Sequence, residues 1–264
     1  MNILFIGDIV GKIGRKAVAA VLPELRKEHN IDLVIGNVEN LAHGKGITHS
    51  TLAEIMAAGV DFCTSGNHIW DKSEGLEILA QPDSPVIRPG NYPPGWPGVG
   101  EKVLTIGTKS ILVINLLGRM FMKVSTDCPF RTLDSILTRH REKQFAAIIV
   151  DFHAETTSEK QALGLYSDGR VSAVLGTHTH VPTADDHILP KGTAYMTDVG
   201  FVGAKHSVLG FSPENGVQTH VLQTPPKAEI PESGMASFCS VLVTVDENTG
   251  LATNISRIYK EVEI

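Results

Sequence analysis

Gly176-Thr177-His178-Thr179-His180 follows directly on the apolar run Val171 to Leu175. The run has the composition of a buried strand, and the residues after it leave from that strand's carboxyl end. Two histidines one residue apart at such a place can turn both imidazoles into one cavity, and imidazole is the commonest metal-ligating side chain. A His-x-His pair is equally compatible with two satisfied polar side chains. The reading therefore depends on whether other strands end in further ligands.

Four do. Asp8 follows Ile3 to Ile6, Glu39 and Asn40 follow Val34 to Val38, Asn67 and His68 follow Val60 to Thr64, and His153 follows Ile148 to Phe152. Between the first strands, Val18, Val21, Leu22 and Leu25 have the spacing of a helix stripe, and Ser50 to Ala58 reads as a second helix. Strand and helix in alternation predict βαβ units and a parallel sheet. In an open α/β sheet the strand carboxyl ends share one edge, where ligands bind. Residues from Asp8 to His180 would then meet in one crevice.

The remaining chain completes the architecture. Val103 to Leu117 predicts two strands turning at Gly107-Thr108-Lys109-Ser110. Phe130 to Arg141 predicts a helix, Phe145 to Phe152 a strand, and Thr157 to Leu165 a helix capped by Thr156 or Thr157. Ser237 to Val245 and Leu251 to Tyr259 alternate around Asp246 to Gly250, the pattern of an antiparallel hairpin. Three local expectations are specific. Gly7 to Gly11 should turn the chain, Pro23 should bend or shorten the first helix, and Pro82 to Gly100 should form a long surface loop. With no internal repeat and no linker, residues 1–264 are expected to form a single domain. The fold class is α/β, as two packed mixed β-sheets flanked by helices, an α/β/β/α four-layer sandwich.

Composition narrows the function classes. A chain of 264 residues with 42% hydrophobic and 20% charged residues can bury a large core. The net charge of −6 provides no basic footprint for stable nucleic-acid binding, though it leaves nucleotides open as substrates. Cys63, Cys128 and Cys239 have no paired spacing and read as reduced residues. The short apolar start lacks the basic flank of a signal peptide, and no stretch has the length of a membrane span. The expectation is a cytoplasmic protein with no membrane partner.

A mixed set of carboxylate, carboxamide and imidazole ligands suits Mn²⁺, Fe or Zn²⁺ better than a thiolate-seeking ion. One carboxylate between two ions can bridge them, and pairs about 3.5–4 Å apart recur in phosphate-ester hydrolases. Each residue taken singly has a plainer reading. Asp8 can cap a helix, Glu39-Asn40 can be loop polarity, Asn67 can be a left-handed turn residue, and His153 can be a buried histidine satisfied by backbone. Their ordered placement at strand ends favours the metal centre.

In order, Gly7-Asp8, Glu39-Asn40, Gly66-Asn67-His68, His153 and Gly176 to His180 resemble the motif blocks of the calcineurin-like metallophosphoesterases, over nearly the whole chain. A closer resemblance, to the bacterial YmdB-like phosphodiesterases, rests on Gly36-Asn37-Val38-Glu39-Asn40, Thr64 to Trp70 and Asn115-Leu116-Leu117-Gly118-Arg119. Two positions depart from the wider superfamily. The first block is usually Asp-x-His, whereas Asp8 is followed by Ile9-Val10. The second is usually Gly-Asp, whereas Glu39 stands as the presumed bridging carboxylate with Asn40 after it. Both departures match the YmdB-like branch, and the Asn40 carboxamide oxygen can replace the missing histidine.

The resemblance implies two metal ions, Fe or Mn first and Zn or Mg as alternatives. It implies Asp8, Glu39, Asn40 and His180 at one ion and Glu39, Asn67, His153 and His178 at the other. His68 resembles the non-ligand histidine that donates a proton to the leaving group while a metal-activated hydroxide attacks phosphorus. The implied substrates are phosphodiesters, 2′,3′-cyclic nucleotides in particular. A phosphomonoesterase using the same metals, or a non-catalytic nucleotide-binding regulator, remains the alternative. A homo-oligomer is compatible with the sequence, with Pro82 to Gly100 as interface or lid. Arg119 can recognise phosphate or form a plain salt bridge, and His43 can touch substrate. The other histidines (His29, His49, His140, His187, His206 and His220) read as surface residues, as does His43 if it makes no such contact. Gly7 to Gly14 lacks both Walker A spacing and the Gly-x-Gly-x-x-Gly pattern, which excludes an ATPase or dehydrogenase reading.

Overall fold

The first strand decides where everything else goes. In the computed structural model, which describes residues 1–223 and 229–264, β1 (Asn2–Ile9) is buried from Ile3 onward because both of its faces are covered. Side chains alternate across a strand. Leu4 and Ile6 therefore face the helix α1 (Gly11–Glu28), meeting its Ile13, Ala17, Val18, Leu22 and Leu25. Ile3 and Phe5 point the opposite way, into a core between two sheets.

The chain continues through β2 (Leu33–Asn37), α2 (His49–Ala57), β3 (Phe62–Thr64) and α3 (Ser73–Leu79), then β4 (Glu101–Ile106) and β5 (Lys109–Leu117). Next come α4 (Pro129–Arg139), β6 (Ala147–His153), α5 (Thr157–Ser167), β7 (Ala173–Thr177), β8 (His187–Ile188) and β9 (Ala194–Met196). β10 (Phe201–Ala204), α6 (Pro213–Leu222), β11 (Met235–Asp246) and β12 (Leu251–Glu263) close it. One six-stranded sheet runs β12-β11-β10-β1-β2-β3 and the other β4-β5-β6-β7-β9-β8. Both are mixed: β1, β2 and β3 are parallel, as are β5, β6, β7 and β9, while β11 and β12 form the antiparallel hairpin.

Ile3, Phe5, Leu33 and Ile35 of the first sheet meet Ile111, Val113, Ile149 and Leu175 of the second. The outer face of the second sheet, with Leu112, Ile114, Val150 and Phe152, packs on Leu133 and Ile136 of α4 and Leu163 of α5. These are the four layers expected: helices, sheet, sheet, helices.

Three local expectations are corrected. β1 does not turn at Gly7 but runs on through Asp8 to Ile9, pairing there with Phe201 and Val202 of β10. A Cβ at Gly7 would lie 2.0 Å from the Gly200 carbonyl oxygen, so only glycine lets that backbone close in. Of the two effects expected of Pro23, bending or shortening, shortening is not found: α1 runs on to Glu28, and Pro23 lies on the exposed face, where water can satisfy the carbonyl left without a donor. Pro82 to Gly100 is not simply a surface loop: Val86 to Pro89 are buried, Ile87 belongs to the inter-sheet core, and Val86 bridges Cys63 in parallel.

A buried ion pair joins the outer helix layer to the sheet edge, with Lys160 Nζ of α5 donating to Asp198 Oδ2 at 2.6 Å and both side chains 1% exposed. Removing one partner leaves the other charge uncompensated in the interior. Lys160→Met is expected to lower unfolding free energy by about 3–5 kcal/mol, seen as a lower urea midpoint at an unchanged slope.

Candidate metal centre

The carboxyl ends of β2, β3, β6 and β7 bring three donor atoms together around a fourth, His153 Nε2. Glu39 Oε1 lies 3.2 Å from it, Asn67 Oδ1 3.2 Å and His178 Nδ1 3.0 Å. Among the described residues, Glu39, His153 and His178 form the group of His and carboxylate donors compact enough to hold a metal ion, all within 4.8 Å of one another. Gly66 makes the approach feasible: a Cβ there would stand 2.3 Å from His153 Nε2 and 2.5 Å from Glu39 Oε2.

The ring of His153 is oriented from behind. Its Nδ1 is 2.9 Å from Thr177 Oγ1, and that hydroxyl donates its hydrogen to Asp151 Oδ1 at 2.7 Å. The imidazole must therefore be the donor to Thr177, which leaves Nε2 as the nitrogen able to accept or ligate. Asp151 also accepts from Thr64 Oγ1 at 2.5 Å and Asn37 Nδ2 at 2.9 Å. His178 is held similarly, with Nε2 3.0 Å from Glu155 Oε2 and Nδ1 facing the cluster.

Among the described residues Asp8, Asn40 and His180 do not close into an equally tight group. Asp8 Oδ2 accepts the His178 backbone N–H at 3.0 Å, and its Oδ1 is 3.8 Å from His153 Nδ1. His180 Nδ1 is 3.1 Å from the Leu209 carbonyl, to which it can only donate, so Nε2 keeps its lone pair. Asn40 Nδ2 donates to the Gly44 carbonyl at 2.8 Å, which turns the carboxamide oxygen the other way. Asp8 Oδ1 and Asn40 Oδ1 are both buried with no hydrogen-bond partner among the described residues. An unsatisfied buried acceptor costs about 1–3 kcal/mol, and a cation would satisfy both. The donor set fits a metal ion.

Strain accompanies the arrangement. His178 and His180 have φ of 98° and 61°, a region that side chains with a Cβ rarely adopt. Asp198 holds the turn, accepting from Thr179 N–H at 3.1 Å, Thr179 Oγ1 at 2.7 Å and Gly200 N–H at 2.8 Å. His68 stands outside the donor group. Its backbone N–H donates to Glu39 Oε2 at 2.8 Å and its Nδ1 lies 2.9 Å from Asp71 Oδ2.

Electrostatics follow from burial and mutual charge. Burial pulls the His153 imidazole down, but Glu39, Asp8 and Asp151 override it and raise it to about 9. Burial pushes Glu39 up, and the His153 charge beside it holds it well below the usual carboxylate range. Burial raises Asp8, against the pull of His180 and His153, and raises Asp151 to about 6. Burial and then the His153 charge drive His178 down to about 3. A proton on His153 Nε2 thus does for Glu39 what a metal cation would do.

The sequence reading missed Asn37, Asp71, Asp151, Glu155, Lys160, Thr177 and Asp198. Asp151 was detectable as a charge inside the apolar run Ile148 to Phe152, and Asp198 as one more acid just past an apolar strand. Asn67 is not in the left-handed region. Val10, at the place of the superfamily's histidine, is buried and apolar. Thr156 takes the N-cap of α5 but its hydroxyl closes no capping bond. Among the described residues the Arg119 side chain has no carboxylate or hydrogen-bond partner. None of the seven remaining histidines is buried.

The family model described as YmdB-like protein matches residues 4–258. The chain belongs to the YmdB-like family. It is 43% identical to the 2′,3′-cyclic-nucleotide 2′-phosphodiesterase of Bacillus subtilis (strain 168), over 98% of this chain and 96% of that one. The crystal structure of a hypothetical protein from Thermus thermophilus superposes with a TM-score of 0.91 at 43% identity, covering 99% of each chain. That of a novel phosphatase from Mycoplasma pneumoniae gives 0.92 at 35% identity, over 100% of this chain and 94% of that one. No described helix of this YmdB-like chain is long and apolar enough to cross a membrane.

The pKa shifts set a pH dependence for the metal-free protein. A histidine raised from 6.5 to about 9 stabilises the fold below pH 6.5, and that contribution is lost as pH rises through about 9. The urea midpoint without metal is expected to fall between pH 7 and 9, and His153→Asn should flatten the fall. An equal slope in the variant would assign the titration elsewhere.

Proposed function

We propose that this YmdB-like chain is a dinuclear metal-dependent phosphodiesterase acting on 2′,3′-cyclic nucleotides. The observation that carries the reading is a buried donor set converging beside a histidine that stays outside it. Glu39, Asn67, His153 and His178 would hold one ion, and Asp8, Glu39, Asn40 and His180 would hold the other. The orphaned oxygens of Asp8 and Asn40 support the second ion. Oxygen and imidazole donors without thiolate suit Fe or Mn, with Zn or Mg as alternatives. The substrate class rests on the identity with the B. subtilis enzyme.

Bound as a pair, such ions supply a nucleophilic hydroxide at neutral pH and neutralise the phosphoryl oxygens. The chain's own residues do the rest. Asp151 and Thr177 fix the His153 tautomer, and Asp198 holds His178 and His180 in their strained conformations. Asp71 occupies His68 Nδ1, so His68 Nε2 is the nitrogen free to face substrate. Protonated, it gives that proton to the leaving oxygen as the P–O bond breaks, a general-acid role. Cleavage at the 2′ oxygen, as the relative's name describes, leaves a nucleoside 3′-monophosphate. The three free cysteines fit a reducing compartment, and we place the protein in the cytoplasm.

His68→Ala is expected to keep its metal content and lose about 10²–10⁴-fold in kcat on adenosine 2′,3′-cyclic phosphate with Mn²⁺ or Fe²⁺; an unimpaired rate would remove the acid role. Glu39→Gln should lower bound metal, measured by elemental analysis, and an unchanged stoichiometry would mean the bridging ligand is misplaced. Faster turnover of AMP than of the cyclic diester by the wild type would favour a phosphomonoesterase.

A further inference from the structure

We propose that Trp70, Tyr92 and Trp96 form the subsite that receives the nucleobase of the substrate, with the Trp96 indole as its stacking face. The proposal rests on the nucleotide phosphodiesterase reading and assigns residues that reading does not use. The three rings form one cluster. Trp70 meets Tyr92 edge-on with centroids 5.3 Å apart, and Trp96 lies tilted over Trp70 at 4.7 Å.

Its position is next to the proposed acid. Trp70 is two residues beyond His68, in the turn where the Asp71 N–H donates to the His68 carbonyl at 3.0 Å. The Tyr92 hydroxyl is raised chiefly by burial, but it also senses the charges of Glu39 and Asp71, which places it within electrostatic reach of the centre.

Two observations separate this cluster from ordinary core. First, Trp96 is 44% exposed, whereas Tyr92 is only 7% exposed and Trp70 packs on the helix-side core as a floor. Second, among the described residues the buried Tyr92 Oη and Trp70 Nε1 have no hydrogen bond of normal geometry, although the indole lies near enough to lower the phenol pKa. Buried Tyr and Trp usually find partners for these groups.

The segment is also held ready. Pro93, Pro94 and Pro97 restrict the backbone around Trp96, and Arg88 donates to the Pro97 carbonyl at 3.1 Å and the Pro89 carbonyl at 2.8 Å. An exposed π-face on a packed aromatic floor matches a flat ring, which can stack there without using its polar edge. In a nucleoside cyclic phosphate that ring is the base.

The chain has two tryptophans, both in this cluster, so selectively excited tryptophan fluorescence reports on it alone. The probes are adenosine 2′,3′-cyclic phosphate and glycerol 1,2-cyclic phosphate, which has the same five-membered ring and no base. The adenosine compound should quench fluorescence saturably and the glycerol compound should not. Trp96→Ala should raise Kd for the adenosine compound about tenfold, the scale of one base–aromatic stack, and lower the kcat/KM ratio of adenosine over glycerol substrate by a similar factor. Trp96→Phe should recover most of both. An unchanged Kd and ratio in Trp96→Ala would overturn the subsite while hydrolysis stands. Binding that depends on Trp96 without turnover of any diester would overturn hydrolysis while the subsite stands.

Discussion

The Asp151 carboxylate is shared by both sheets, and the centre depends on it. It lies on β6 of the second sheet, accepts from Asn37 and Thr64 at the ends of β2 and β3 of the first, and from Thr177 at the end of β7 beside it. Hydrophobic packing brings the sheets together but is non-directional, and it tolerates small slips between them. Hydrogen bonds to one buried carboxylate do not. They fix the carboxyl ends of four strands at the edge where Glu39, Asn67, His153 and His178 must meet. The desolvation that raises Asp151 to about 6 is offset there by the hydroxyls and by the positive ring of His153.

Strain and compensation are distributed in the same way. The two histidines after β7 adopt unfavourable backbone conformations, costing about 1–3 kcal/mol each, and the Asp198–Lys160 pair holds the turn from beneath. Glycines at 7 and 66 remove side chains where backbone or donor atoms must approach closely. These two histidines and two glycines thus gather around one edge, while the two hydrophobic layers flanking the first sheet and the third beneath α4 and α5 follow simple strand and helix periodicity.

Much of this is legible in the order of residues along the chain. Apolar runs ending in Asp8, Glu39, Asn67, His153 and His178 locate the strands, and the parallel rhythm implies a shared edge. The hairpin at the carboxyl end shows in its alternation. Less visible are residues whose role is to hold others. Glu155 and Thr177 look like ordinary loop or strand polarity, because their meaning lies in His178 for the one and in Asp151 and His153 for the other, all remote in the chain. The buried course of Val86 to Pro89 is hidden by its Pro and Gly content, which signals irregular backbone but not whether that backbone is covered.

The sequence by itself determined the layer architecture and the set of donor types, since hydrophobic period and ligand chemistry are properties of residues and their near neighbours. Only the tertiary structure decided which nitrogen of each histidine faces the centre and which oxygens of Asp8 and Asn40 stay unpaired. It also decided that an aromatic cluster stands beside His68. Those outcomes depend on directional contacts between segments remote in the chain, and such directions exist only once the two sheets have packed.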